Sequence, residues 1–147
     1  MSAAAITVST FTPADADAAF GLARLAFPDL TASQWRKLVR RWTMSERPTA
    51  GAIVARDSAG RVVGFAPYGV RDDLCRGRTL WVDRVVAVSL IDSAPAVRVM
   101  AKALSDKART LGCVRLKVET APSDRALRQA LSRGAGAVRS TVLQATV

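Results

Sequence analysis

The stretch LWVDRVVAVSLIDSAPAVRVMAKALSDKARTLG, residues 80–112, decides the fold. Residues 80–88 are nearly all apolar and rich in β-branched side chains, which predicts a central strand buried on both faces. Ser93 then offers a helix cap, apolar residues recur at three- and four-residue spacings over 97–111, and Gly112 offers a stop. A strand that leads directly into a helix N-terminus is a common phosphate site, because the free N–H groups and the helix dipole favour an anion.

Composition indicates one soluble domain with an excess of positive charge. The chain has 147 residues, 22 Lys+Arg against 12 Asp+Glu, no histidine and two cysteines. A net charge of +10 favours an anionic ligand or partner, although solvated basic faces explain it equally well. The lack of histidine argues against a structural zinc site. Because the sequence shows neither a secretory start nor about 20 successive apolar residues, we expect a cytoplasmic protein with reduced thiols at Cys75 and Cys113 and no membrane contact.

The first third of the chain predicts a strand and two helices. Residues 6–11 alternate apolar and hydroxyl side chains, as in a half-buried strand. A cap at Thr12 with an acid at Asp15 predicts a helix over 13–27. A second capping box begins at Thr31 and predicts an amphipathic helix with a very basic outer face.

The middle of the chain predicts a hairpin. Short apolar runs at 52–56 and 61–68 flank the turn residues 57–60. Pro67 either weakens the far end of the second strand or marks a bulge. Residues 71–78 are interpreted as a polar connection to the central strand.

The last third predicts a strand at 114–118, a helix capped by Ser123 and closed by Gly134, and a final strand at 138–147. One long helix connects the central strand to the strand at 114–118, which requires a right-handed crossover between parallel neighbours. We therefore expect these two strands to pair in parallel and to part after Val88 and Val118.

The resulting order, β-α-α-β-β-β-α-β-α-β, resembles the GNAT superfamily of acetyl-CoA-dependent N-acetyltransferases over essentially the whole chain. The resemblance rests on GRVVGF at 60–65, VDRVVAV at 82–88, and SDRAL at 123–127 followed by Gly134. It implies one α/β (α+β) domain over 1–147, with a mixed, mostly antiparallel, twisted sheet covered by helices on both faces.

The diagnostic loop of this family, Gln/Arg-x-x-Gly-x-Gly/Ala, falls on residues 92–97, and all three signature positions differ. Asp92 places a negative charge where a phosphate is expected, and Pro95 removes one N–H donor. Val97 adds bulk where a small residue permits close approach. The alternative interpretation is a decayed phosphate loop on an intact fold.

The resemblance implies acetyl-CoA as the co-substrate and a primary amine as the acceptor. It also implies that the coenzyme is held by the central strand, by the start of the long helix and by the last helix. The residues expected to contact it are Val86, Ala87, Val88, Ser93, Ala94, Ala96, Val97, Arg98 and Ser123.

For a general base, the family commonly uses a carboxylate on the central strand. Asp83 is the only acid on that strand and by strand alternation shares a face with Val85 and Ala87. A salt bridge from Asp83 to an arginine is the structural alternative. Glu119, at the end of the next strand, is the second candidate for the base.

The tyrosine with which many family members protonate the departing thiolate is replaced by Ala130. Tyr68, the only tyrosine, is a candidate to reach the cleft from the hairpin, with simple packing as the alternative. We interpret Cys113 as a small buried hydrophobe and Cys75 as a bystander thiol.

Three functions compete. The first is an acyl-CoA-dependent N-acyltransferase with an unusual phosphate loop, and the second is a non-catalytic protein that keeps the fold for binding or regulation. The third, ranked last, is nucleic-acid binding through the basic second helix, where Trp35 and Trp42 could stack on bases. The family often forms homodimers, so a homodimer is also an open expectation.

Overall fold

The computed structural model describes residues 5–44, 49–74, 77–88, 92–119 and 125–133, which build one mixed sheet with helices on both faces. The strands are β1 (Thr7–Thr10), β2 (Ala50–Arg56), β3 (Val62–Asp73), β4 (Gly77–Val82), β5 (Val86–Ala87) and β6 (Arg115–Val118). The helices are α1 (Ala16–Ala26), α2 (Ala32–Thr43), α3 (Ala94–Thr110) and α4 (Arg125–Arg133), and a 3-10 turn at Pro13–Asp15 precedes α1. The predicted strand at 138–147 and the predicted end of α4 at Gly134 lie outside the described residues.

The sheet runs in the order β1-β2-β3-β4-β6, with β5 paired to β3. Its pairs are antiparallel except β4 and β6, which are parallel from Thr79 opposite Arg115 to Val82 opposite Val118. The parallel pairing predicted from the crossover is thus confirmed. On the central strand they separate after Val82 rather than after Val88 as predicted. Their last hydrogen bond runs from the Glu119 N–H to the Val82 carbonyl, at 2.9 Å.

The central strand is interrupted, so the prediction of one continuous strand over 80–88 is wrong. β4 ends at Val82, β5 begins at Val86, and three residues, 83–85, separate them. Their partners on β3 are separated by only two residues, 66–67. One extra residue on one side of an antiparallel pair is a β-bulge, which bends the strand and redirects its side chains.

The bulge also overturns the predicted parity of the central strand. Trp81 and Asp83 face α1 and α2, where both line a cleft. Val85 and Ala87 pack instead into the core under α3. Asp83 therefore does not share a face with these two residues, since the extra residue shifts the alternation.

β3 and β4 pair as an antiparallel hairpin. β3 continues through Pro67 to Asp73 and pairs with β4 as far as Gly77. The polar connection predicted at 71–78 is therefore wrong, because most of those residues are strand. Pro67 lies opposite the bulge at 83–85, which agrees with the second of its two predicted roles.

Each face of the sheet has its own core. The cluster under α3 and α4 contains large side chains with almost no exposed surface, among them Leu80, Met100 and Leu104. The cluster under α1 and α2 is aromatic and centres on Trp35 and Phe65. Helices on both faces were predicted, and this division confirms it.

Local sequence signals place the start of α2 and the end of α3 as expected. Before α2, the Thr31 hydroxyl accepts the Gln34 N–H at 3.1 Å, and the Gln34 side chain accepts the Thr31 N–H at 2.9 Å. Gly112 ends α3 with a φ of +72°, a conformation that favours glycine.

Asp15 ties the start of α1 to the sheet. Its buried carboxylate accepts the Thr12 N–H at 2.9 Å, the Thr12 hydroxyl at 3.1 Å and a bond from the Arg56 guanidinium. Burial raises its pKa, but the Arg56 and Thr12 hydrogen bonds outweigh burial and bring the pKa below the usual 3.8. Its contribution to stability is thus complete above about pH 4 and is lost as the pH falls through the lowered pKa.

We expect Asp15→Asn to lower the free energy of unfolding by about 1–3 kcal/mol at pH 7, since a charge-assisted bond is lost. The difference should shrink as the pH falls through the lowered pKa of Asp15. Urea denaturation at several pH values tests this, with the exposed Asp17→Asn as the control. A constant difference from pH 7 to pH 2 would contradict the assignment.

Gly64 lets α3 approach the sheet. A Cβ at this position would lie 2.6 Å from the Met100 sulfur and 3.0 Å from the Ala55 Cβ, and Met100 is fully buried.

We expect Gly64→Ala to destabilise the fold by about 1–3 kcal/mol through overpacking. Gly21→Ala in α1, where nothing lies within 4 Å, should instead be neutral or stabilising. Thermal unfolding of both variants measures the difference, and equal midpoints would refute it.

Candidate functional site

A cleft of about 650 Å³ lies between the α1–α2 pair and the sheet, and we call it the sheet cleft. Its floor includes Phe65, Pro67 and Trp81 from β3 and β4, and its helical wall includes Trp35 and Trp42. Charged side chains enter it from both sides: Asp29, Arg41, Arg71 and Asp83. The cleft is thus largely apolar with a few charged groups, as in sites that bind small organic molecules.

Asp83 lies in the bulge and lines the sheet cleft with an exposed side chain. Among the described side chains no arginine or lysine forms an ion pair with it, so the predicted structural alternative is not found there. A carboxylate in this position can accept a proton from an amine in the cleft.

Glu119 directly follows β6, next to the end of the β4–β6 ladder. Its N–H is bonded to Val82, the residue before Asp83, so the two candidate bases lie on neighbouring chain segments. Its side chain is half-buried, and it is not among the residues that line the sheet cleft. Of the two carboxylates, Asp83 is therefore the one that faces the sheet cleft.

Tyr68 packs mainly on the other side of the sheet. It is 5% exposed and belongs to the core cluster under α3 and α4, with the Lys107 Nζ 5.7 Å from its ring centroid. A Cβ at Gly51 would lie 2.8 Å from its hydroxyl. Burial raises the pKa of this phenol. Although Tyr68 borders the sheet cleft, these contacts favour the packing alternative over a catalytic acid.

Arg71 and Trp81 form a feature of the floor that the sequence reasoning missed. The Arg71 guanidinium carbon lies 4.6 Å from the centroid of the Trp81 indole, and the Lys117 Nζ lies 4.7 Å from it. Strand alternation could have placed Arg71 and Trp81 on the cleft side. Each directly follows a residue that packs into the core, Val70 and Leu80, and successive strand residues face opposite sides. It was missed because residues 71–78 were interpreted as a polar connection rather than as strand.

The start of α3 is capped by a different residue than predicted. Ser93 occupies the cap position, but its side chain makes no capping bond. The Asp92 carboxylate accepts the Ala94 N–H at 3.0 Å instead, and the next residue, Pro95, has no N–H. The helix start thus already holds an anion, and that anion belongs to the chain itself.

The remaining residues of this helix start divide between core and solvent. Ala96 and Val97 are buried, and Val97 packs in the core under α3, so its bulk does not fill the loop as the sequence had suggested. Arg98 is exposed in the first turn. The predicted contact Ser123 lies outside the described residues.

The predicted coenzyme contacts on the central strand, Val86, Ala87 and Val88, lie beside β3. The Val88 N–H donates to the Val63 carbonyl at 2.8 Å. In the described part of the chain, no strand pairs with the opposite edge of β5, because β6 has already ended. An extended ligand can therefore lie along that edge and hydrogen-bond to it.

Neither cysteine is placed in this site. Cys113 is a free, half-buried thiol packed against the core under α3, and burial raises its pKa, so the interpretation as a small hydrophobe agrees with its surroundings. Cys75 lies outside the described residues. Within the described ranges, no group of three His, Cys, Asp or Glu side chains could hold a metal ion, and no helix could cross a bilayer.

No family model and no curated protein matches the chain, but solved structures share its fold. An aminoglycoside N-acetyltransferase in complex with CoA has a TM-score of 0.73 at 15% identity, covering 99% of this chain and 97% of its own. A ribosomal-protein-alanine N-acetyltransferase from Brucella melitensis biovar Abortus 2308 has a TM-score of 0.67 at 19% identity, covering 97% and 100%. The glucosamine-6-phosphate N-acetyltransferase from Arabidopsis thaliana has a TM-score of 0.70 at 11% identity, covering 95% and 98%.

The chain therefore has the fold of the GNAT N-acetyltransferases. This confirms the resemblance in fold that the order of elements predicted. The three solved proteins act on different acceptors, so the acceptor has to be argued from the residues of the sheet cleft.

Proposed function

We propose that this protein is an acyl-CoA-dependent N-acyltransferase that transfers the acetyl group of acetyl-CoA to a primary amine bound in the sheet cleft. The observation that carries the proposal is the position of Asp83. It faces an apolar cleft at the point where β4 and β6 part, so a base and an open strand edge adjoin each other.

Two features support a coenzyme A thioester as the acyl donor. The edge of β5 with which no described strand pairs fits an extended amide-containing arm, and the Ala94 N–H at the start of α3 is a donor that a phosphate can use once it displaces the Asp92 carboxylate. Arg98 is the exposed cation beside it. When bound, acetyl-CoA supplies an activated acyl group, and the phosphate has to take the place of the Asp92 carboxylate.

The chain itself contributes positioning and one proton acceptor. Trp35, Trp42 and Phe65 shape a largely apolar site that orients the acceptor and limits its contact with water. The Asp83 carboxylate holds the ammonium form and takes a proton from it, which leaves the amine nucleophilic. Ala130 has no proton to donate, and the contacts of Tyr68 are those of a packing residue, so the proposal assigns no acid to these positions.

We expect Asp83→Asn to lower the rate of acetyl transfer by about 100-fold or more while the protein stays folded, because a general base typically contributes that much. The loss should be largest at low pH, where most of the amine is protonated. The control is Asp106→Asn, an exposed acid on α3 that forms an ion pair with Arg109. If Asp83→Asn keeps full activity and Glu119→Gln does not, the base is Glu119.

The bond between Asp92 and Ala94 also favours a second candidate, a protein of this fold that binds without transferring. We expect Asp92→Asn to tighten acetyl-CoA binding about fivefold, since the cap remains but the charge facing the phosphates is removed. Isothermal titration of this variant beside the parent measures the effect. Replacing Val97 as well would confuse the result, because that side chain is part of the core.

The same titration separates the two candidates. Acetyl-CoA binding followed by transfer to an amine supports the enzyme. Binding without turnover on a broad amine panel supports the second candidate. If neither the parent nor Asp92→Asn binds acetyl-CoA at high micromolar concentration, the transferase proposal is wrong.

A further inference from the structure

Two opposite charges lie on the floor of the sheet cleft, on either side of Trp81. Arg71 comes from β3, and Asp83 comes from the bulge after β4. The helical wall adds Arg41 and Asp29, one charge of each sign, and so carries no net charge. The floor therefore decides how a charged ligand is oriented.

Arg71 contacts an aromatic ring and has no ion-pair partner among the described side chains. Its guanidinium is 4.6 Å from the Trp81 centroid, an attractive cation–π contact that limits its rotation. Arg56, Arg61 and Arg109 each form an ion pair with an acid. No described carboxylate lies within ion-pair distance of Arg71, although it lines a cleft. A fixed guanidinium of this kind is suited to a carboxylate of the ligand.

The register gives the approximate spacing of the two charges. The Arg71 guanidinium lies over the ring of Trp81. Trp81 precedes Asp83 by two residues, and a strand rises about 3.3 Å per residue. Arg71 itself lies opposite Thr79, so its backbone position and that of Asp83 are four residues apart along the chain, at most about 14 Å, and its side chain closes part of that distance by reaching Trp81. The α-amine and carboxylate of one amino acid are too close together to meet both.

We propose that the acceptor is an amine joined to a carboxylate by a short apolar linker, as in an ω-amino acid, with the amine at Asp83 and the carboxylate at Arg71. Trp81, which lies between these two positions along β4, provides the apolar surface for the linker. The proposal rests on the proposed function, since it names the acceptor for that reaction.

Binding is tested without acetyl-CoA, by isothermal titration with 5-aminopentanoate, pentylamine and pentanoate, which share one carbon chain. We expect 5-aminopentanoate to bind tightest. Arg71→Gln should weaken its binding about tenfold and leave pentylamine unchanged, since only the carboxylate contact is lost. The matched control is Lys117→Gln, which removes the other cation from Trp81 at a position outside the cleft lining and should change no affinity more than about twofold.

The proposal is wrong if pentylamine binds the parent as tightly as 5-aminopentanoate, if Arg71→Gln weakens both equally, or if none of the three binds at about 10 mM. An acetyl-transfer assay with the same compounds then separates the two proposals. Selective binding without any transfer would overturn the proposed function and leave the acceptor geometry standing. Equal transfer to pentylamine and 5-aminopentanoate would overturn the acceptor and leave the transferase standing.

Discussion

The site depends on one extra residue in the central strand. Three residues lie between Val82 and Val86, but only two lie between their partners on β3, Tyr68 and Phe65. The extra residue has no partner in the ladder and forms a β-bulge. Asp83 keeps the cleft-facing parity of Trp81, and the bulge returns the following residues to β3 with the opposite parity. The ladder between β4 and β6 ends with the hydrogen bond from Glu119 to Val82, so no strand in the described part of the chain pairs with the other edge of β5.

The features that could be predicted from the sequence are those whose physical cause is local. The capping box at Thr31, the hairpin turn at 57–60 and the stop at Gly112 each depend on residues a few positions apart, and all occur as expected. The parallel pairing of β4 and β6 was also predictable, because a single helix connects them. These signals were enough for the fold.

The site was less predictable, because it depends on comparing strands that are distant in sequence. The bulge exists only as a mismatch between β3 and the central strand, so no property of residues 80–88 alone reveals it. The Arg71 contact with Trp81 requires knowing that β3 continues through Pro67, against the usual preference of proline for strand ends. Asp83, the predicted base, lines the sheet cleft, but the parity argument that placed it on one face with Val85 and Ala87 was wrong.

The start of α3 shows how a fold can be kept while its ligand contacts change. The first N–H groups of a helix need hydrogen-bond partners. At the start of α3 the Asp92 carboxylate accepts the N–H of Ala94, and Pro95 has no N–H that needs a partner. This stabilises the helix without a ligand, and for the same reason it opposes a phosphate at that place. The sheet cleft carries no such internal partner for Arg71 or Asp83 among the described residues, so its charges stay available to a ligand. The cleft on the α1–α2 side is therefore better prepared for binding than the helix start, and the identity of the acceptor is the more direct question to ask of this protein.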